Sequence, residues 1–536
     1  MIDSAGRRLD DERFALGVLL AAAATFVALG LWLTRGGSFI VDELAYYSQA
    51  SGYAPAALAE PFGGHLTAVN RLLYAVYTDL FGSSHLPFQL TTLVVNVGVA
   101  VLIFKLLARS VGAYAALAAG IAVLFLGSTP VGIQANAAMW GQATMFGLAG
   151  LLALGSGGRR ADPLACAALV LAVLSLEVGV AFAVGAAVWI AIDDRSPRRL
   201  WIAAIPIALY AGWWVWALQF DQGFATLSNV LLAPAVAADS AAAALASLSG
   251  LGLDLVQGPS LSSASLDTGR VLVVGVLAIV GLALWRRPPG AAWWGTAAML
   301  VVFWIALAIG YGPLRGPEVT RYAFVVVAGL LPLVGWSVAG WRPDALARLG
   351  LALALACSLA GNLWLLRERG AEIRSASELS RARLAVVELH PEAAAGSLEK
   401  SLAMTAPPAE YLSAAAEQGS LGIPPGELDA MSETQAAEAD RTLAQVAPPV
   451  LAPAEGRCAG EGAPVNSIEL GTEVVLHSEN GAELRAARFA AQPSVEVGEL
   501  PPGRSVRVSA PADAAAQPWL ISAEGGSFVV CESPPG

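Results

Sequence analysis

Residues 163–192 read PLACAALVLAVLSLEVGVAFAVGAAVWIAI, thirty residues that carry one charge, Glu177, near the middle. As a single helix rising 1.5 Å per residue the run would extend about 45 Å, half again the roughly 30 Å of a bilayer's hydrocarbon core. As two helices it makes two short spans, 163–176 and 177–192, that turn at Glu177. The choice sets the side of every later loop, and the basic residues make it. With the N-terminus (Arg7, Arg8, Arg13) inside, further apolar windows near 14–34, 88–108, 112–128, 137–155, 199–219, 269–285, 292–312, 321–341 and 346–366 bring the total to eleven crossings. Of the Lys and Arg residues before 367, fourteen then lie inside and five outside, the bias expected of cytoplasmic loops. One span over 163–192 would move Arg195, Arg198 and Arg199 outside and invert all that follows.

Composition agrees with this reading. Of the 536 residues, 56% are hydrophobic and 14% charged, against roughly 25% charged in a soluble domain. That excludes a soluble enzyme, a fibrous chain and a disordered one. Residues 1–366 have a net charge of +1 and residues 367–536 of −12. The expected architecture is therefore an α-helical polytopic membrane domain of about eleven spans over 1–366, a helical, Ala/Pro-rich connector over 367–456, and an external β-rich module over 457–536. The odd number of crossings puts the C-terminal domain outside the cell membrane, and its acidity argues against nucleic acid as a partner. The first apolar segment is longer than a signal peptide's apolar core and runs straight into polar sequence, so it reads as a signal anchor.

Within the acidic half, TEVVLHS, SVEVGEL, SVRVSAP and SFVVCES alternate with turn residues and predict a small β-sandwich or jelly-roll-like module. Cys458 and Cys531 flank it on the oxidising side and are expected to form a disulfide. Cys166 and Cys357 fall inside apolar spans as packing residues. No CxxC, HExxH or Cys/His cluster is present, so neither a metal site nor a cofactor is evident.

Two outer connections are long, 35–87 and 220–268, and loops of this length tend to be functional or disordered. The first opens with FIVDELAYYSQA, where Asp42 and Glu43 stand just past the first span. A carboxylate at the edge of the bilayer can act as a general base toward a hydroxyl; the plainer alternative is a pair that caps an interfacial helix. His65 and Arg71, in GGHLTAVNRLLY, either face an outer cavity or form the polar stripe of an amphipathic helix. Arg315 and Arg321, in GPLRGPEVTRYAF, run against the inside bias and suit a lipid phosphate. Glu177 sits at the outer mouth of the two short spans, and an acid there is a functional-site candidate. The alternative is that it satisfies a neighbouring helix end. Trp213, Trp214, Trp216, Trp293 and Trp294 read as interfacial belts.

An Asp-Glu pair opening the first outer loop resembles the GT-C membrane glycosyltransferases, especially the protein O-mannosyltransferase branch and its bacterial relatives. The run HLTAVNRLLYAVYTDLFGSSHLPFQLTTLVVNVGVAVLIFKLLAR, the segment LSLEVGV and the segment TRYAF are similar to stretches of that family, and the likeness covers roughly residues 14–366. It implies a GT-C-like fold, a polyprenyl-phosphate sugar donor, and a protein or glycan acceptor at the outer face of the cell envelope. It also implies Asp42 as general base with Glu43 beside it, and Arg321 on the donor phosphate, with Arg315, Glu177, His65 and Arg71 as further substrate contacts. Direct displacement would invert the sugar. The chain departs from the family at Gln134 and Leu176, where acidic and basic residues are expected. Two other readings compete: an inactive relative that binds glycan or a partner, and a transporter or flippase of lipid-linked precursors. Transporters carry internal repeats and midplane charges, neither of which is visible here.

Overall fold

The computed structural model describes residues 11–50, 52–158, 160–193, 197–220, 226–252, 260–312, 316–397, 404–454, 465–470, 473–511, 515 and 517–531. They form two compact units. The first comprises the chain up to Arg35, Gly52–Tyr77 and Leu86–Ile373; the second comprises Gly36–Ser51, Thr78–His85 and the chain from Arg374 onward.

The first unit is helical and apolar. Among the described residues, eight helices are long and apolar enough to cross a membrane: Glu12–Leu33, Leu86–Val111, Ala135–Ser156, Leu227–Ser249, Ser263–Arg286, Ala291–Ile309, Thr320–Ser337 and Ala345–Leu389. Ala113–Leu124, Ala161–Ser175, Val178–Asp193 and Trp201–Ala217 are shorter apolar helices. The chain is a multi-pass membrane protein. The 163–192 run is two helices, separated by Leu176 in an extended conformation and by Glu177. They fold back on each other closely enough that a Cβ on Gly179 would stand 2.3 Å from the backbone of Ala172 and Val173. Gly185 and Gly295 bring the helices Val178–Asp193 and Ala291–Ile309 equally close, the small-residue packing that membranes favour.

One outer connection differs from the expectation. Residues 220–268 contain the helix Leu227–Ser249, which packs against its neighbours instead of looping freely. The Ala-rich sequence buries little area per residue, and the helix carries one charge, Asp239. Arg270 answers that charge with bonds of 3.0 and 2.7 Å. The helix ends at Gly250, and Asn362 of the long last helix donates to Ser247 O at 3.0 Å while accepting from Gly127 N at 2.9 Å.

The described residues of the second unit include eight strands in two antiparallel sheets. Strands β1 (Val450–Ala454), β6 (Arg504–Ser509), β3 (Glu473–Ser478) and β8 (Val529–Cys531) form one, in the order β1-β6-β3-β8. Strands β2 (Ser467–Leu470), β7 (Trp519–Glu524), β4 (Ala482–Ala487) and β5 (Val495–Leu500) form the other, in the order β2-β7-β4-β5. Leu476, Leu484, Val508, Trp519, Ile521 and Phe528 fill the space between them, and Ala385, Val386, Ala439 and Leu443 extend that core onto two helices. The helix Glu433–Val446 starts with a capping box, Ser432 and Gln435. Its buried Asp440 accepts from the amides of Arg488, Phe489 and Ala490 and so fixes it to the end of β4.

Candidate functional site

A cavity of about 1040 Å³ opens in the first unit. Its walls are apolar along Val180, Ala181, Val302, Phe303, Ala306 and Leu307, aromatic at Trp140, Tyr210, Trp214 and Tyr322, and polar at His65, Glu177 and Gln219. This is the pattern of a small-molecule site: mostly greasy, with a few polar groups that fix orientation.

His65 reaches the cavity through a tight turn. Phe62 and His65 exchange both backbone hydrogen bonds, at 3.0 and 2.9 Å, across Gly63 and Gly64. These two lie at φ 54° and 86°, the pair of positive φ values that a two-residue turn of this hand needs and that glycine supplies without strain. The indole of Trp213 donates to Ala59 O at 2.7 Å, and Leu66 is buried against Val173, Trp213 and Ala217. The loop is thereby docked, and His65 Nδ1 meets Glu177 Oε1 at 2.8 Å, each side chain a quarter exposed.

Tyr322 forms the aromatic end of the cavity, edge-on to Trp140 with ring centroids 5.2 Å apart. The Arg321 guanidinium lies 5.1 Å from the Tyr322 ring, and its Nη2 is 3.4 Å from the Tyr322 hydroxyl; of the two residues, Tyr322 lines the cavity. Arg71 is buried, its guanidinium 6.0 Å from the ring of Phe62 at the base of the turn. Arg315 lies outside the described residues. Trp214, assigned to an interfacial belt on sequence grounds, is a wall of the cavity, as is Trp140.

Asp42 and Glu43 belong to the second unit, at the start of the helix Asp42–Ser48. Glu43 is 1% exposed. Its Oε2 accepts from Ile40 N at 2.9 Å, and His85 Nε2 lies 3.3 Å from its Oε1. Between Ile40 and Asp42, Val41 adopts φ 50° and ψ −126°, a region that a β-branched residue enters only under strain. Tyr47 donates to Gly419 O at 2.6 Å, and Ser38 N donates to Ser377 Oγ at 3.1 Å, so this first-loop segment is bonded to the C-terminal residues of its own unit. Burial, reinforced by the nearby Glu388 carboxylate, raises the Tyr47 hydroxyl above the ordinary phenol range.

Among the described residues no three His, Cys, Asp or Glu side chains converge as a metal site. Cys531 is disulfide-bonded and Cys166 and Cys357 are free; Cys458, its expected partner, lies outside the described residues.

Gly63 and Gly64, just before His65, are the sequence signal for this turn, a two-residue hairpin pair. The strain at Val41 and the engagement of His85 with Glu43 had no sequence signal, since both depend on contacts between distant segments.

No protein-family model and no curated protein matches the chain. Solved structures with some likeness include ArnT from Cupriavidus metallidurans bound to undecaprenyl phosphate, at 13% identity over 76% of this chain and 89% of that one, with a TM-score of 0.45. The archaeal oligosaccharyltransferase AglB from Archaeoglobus fulgidus, in complex with an inhibitory peptide and a dolichol-phosphate, gives 11% identity, 81% and 69% coverage and a TM-score of 0.40. The arabinofuranosyltransferase AftD from Mycobacteria gives 14% identity, 97% and 60% coverage and a TM-score of 0.35. With these TM-scores below 0.5, the likenesses decide nothing about this chain's activity.

Proposed function

We propose that this chain is a membrane glycosyltransferase that moves a sugar from a polyprenyl-phosphate donor to a hydroxyl of a protein or glycan acceptor on the outer face of the cell membrane. The observation that carries the reading is the cavity. Its apolar walls suit an isoprenoid chain, its aromatic side chains Trp140, Trp214 and Tyr322 suit the face of a pyranose or furanose ring, and His65 and Glu177 supply hydrogen bonds for sugar hydroxyls. Arg321, beside Tyr322, is assigned to the donor phosphate, where a planar fork of donors matches two phosphate oxygens.

In this mechanism Asp42 takes the proton of the acceptor hydroxyl as its oxygen attacks the anomeric carbon. The bond from that carbon to the phosphate oxygen breaks, and polyprenyl phosphate leaves with the electron pair. One displacement inverts the anomeric centre, and no covalent enzyme intermediate forms. The base assignment rests on the first-loop motif and on the strained backbone that presents Asp42.

The orientation is supported by the make-up of the second unit. It contains first-loop segments 36–51 and 78–85 together with the C-terminal residues, so these lie on one side of the membrane and an even number of crossings separates them. Among the described residues eleven apolar helices begin between residues 86 and 345, so at least one of them does not traverse the bilayer. The eleven-crossing count assigns that place to Leu227–Ser249. With the natural cysteines replaced, Ser467→Cys should react with an impermeant reagent in intact cells and Ser196→Cys should react only after permeabilisation; the opposite pattern inverts the topology. A non-reduced digest should contain the Cys458 and Cys531 peptides joined, and two free thiols would refute the pairing.

The activity is tested by incubating the purified protein in detergent with a panel of polyprenyl-phosphate sugars. Consumption of one donor with release of polyprenyl phosphate is expected. Binding without turnover across the panel would favour the inactive relative, and no binding at all would remove the cavity as a donor site.

A further inference from the structure

We infer that Glu43 and His85 are positioning residues: they hold Val41 in its strained conformation and thereby aim Asp42, without touching substrate. The inference rests on the reading of Asp42 as general base. Among the described residues Val41 is the one non-glycine at positive φ. Residues on both sides of it are tied together. Glu43 N donates to Ile40 O at 3.0 Å, and the Glu43 carboxylate returns the bond by accepting from Ile40 N at 2.9 Å. Leu44 N donates to Val41 O at 3.1 Å, and Thr405 Oγ1 donates to the same carbonyl. The second Glu43 oxygen is met by His85, whose ring stands edge-on to Phe39 with centroids 5.1 Å apart.

Two consequences follow from this bracket. Glu43 has both oxygens engaged and is 1% exposed, so it is not placed to take a proton from an acceptor in water. Asp42 follows Val41 directly, so its direction depends on the φ and ψ that the bracket imposes. A neutral amide can keep this arrangement, because the Gln oxygen still accepts from Ile40 N and its NH2 can face a ring nitrogen of His85.

The test compares Glu43→Gln, Glu43→Leu and Glu43→Leu combined with Val41→Gly in the full chain. It reads donor KM, turnover, and hydrogen exchange at the amides of residues 40–48. Glu43→Gln should stay within a few-fold of wild type in turnover. Glu43→Leu should lose about 10²-fold in turnover at unchanged donor KM, the scale expected when a reacting group is displaced by about an ångström. It should also speed exchange at Ile40 and Glu43. Glycine adopts the Val41 conformation without strain, so the double variant should recover much of the lost turnover. A His85→Ala variant should move the same way as Glu43→Leu. If Glu43→Gln is as damaging as loss of the base, Glu43 does proton chemistry itself and the inference falls. It also falls if Glu43→Leu leaves both exchange and turnover unchanged. Should Asp42→Asn keep full turnover while the exchange pattern behaves as expected, the bracket stands and it is the base assignment that fails.

Discussion

Among the described residues, two Glu–His pairs invite comparison, one in each unit. His65 and Glu177 meet at 2.8 Å with a quarter of each side chain exposed, in the wall of a large cavity. Glu43 and His85 meet at 3.3 Å with 1% and 9% exposed. An exposed pair adds little to stability, commonly under about 1 kcal/mol. Its groups can exchange their mutual bond for bonds to a ligand at small cost. A sealed pair has given up hydration for its contact and for whatever backbone it satisfies, so removing one partner leaves an unsatisfied buried group. On the proposed function the same two side chains serve different ends, recognition in one place and backbone geometry in the other. Fractional exposure, more than residue identity or distance, separates them.

The largest expected effect lies beside the sealed pair. Asp42→Asn should fold, insert and bind donor as wild type does, because the neutral amide matches the half-buried carboxylate in size and shape and Asn is tolerated in the first turn of a helix. Turnover should fall by roughly 10²–10⁴-fold, as for loss of a general base. The check is single-turnover transfer to the identified acceptor after donor binding is confirmed. Near-wild-type turnover would leave the sealed pair with nothing to aim.

The next effect lies at the open pair and should appear in affinity instead of rate. His65→Ala and Glu177→Gln should each weaken donor binding by about tenfold, since a hydrogen bond to a charged group contributes about 1.5–3 kcal/mol. Unfolding midpoints should barely move. Titration of a polyprenyl-phosphate sugar into each purified variant measures it. A large loss of stability with unchanged affinity would make this pair structural and remove the contrast with Glu43 and His85. Arg321→Lys should weaken the same binding less than Arg321→Ala, because it keeps the charge and loses the fork.

What the sequence made legible follows from which forces are local. The split of 163–192 could be read because charge on flanking loops reports topology directly, and the break falls at Leu176 and Glu177. Strands β3, β5, β6 and β8 coincide with the four β-prone runs, whereas β4, AELRAA, and β1, with Pro453, carry no strand signature and are fixed by their pairing partners. The helix Leu227–Ser249 has the hydropathy of a span, but Asp221, Asp239, Asp254 and Asp267 and the absence of Lys and Arg make 220–268 read as an outer connection. For the site, the residue types at positions 65 and 177 were visible, but their pairing depends on a turn that brings together positions more than a hundred residues apart. The division of labour between Asp42 and Glu43 was hidden for the same reason, since His85 and Thr405 come from distant segments.

The smallest effect concerns another buried carboxylate, one hydrogen-bonded to backbone amides. Asp440 is 3% exposed and accepts from three amides at 2.9, 3.0 and 2.9 Å. Burial raises its pKa above the ordinary value, and the three amides and the Arg488 charge only partly pull it back. The folded state thus holds this proton more tightly than the unfolded chain does. Between the ordinary aspartate value of about 3.9 and the raised one, the native state binds more protons, so stability falls as pH rises and is recovered as pH drops. Asp440→Asn cannot titrate. Wild type should therefore gain stability relative to that variant as the solution is acidified toward the ordinary value, and the difference should be flat above the raised one. Hydrogen exchange at Arg488–Ala490 in the full chain, corrected for the intrinsic pH dependence of exchange, measures the difference without isolating the sandwich. If wild type instead loses ground on acidification, the amides outweigh burial. Backbone donors would then make a buried carboxylate prefer its charge.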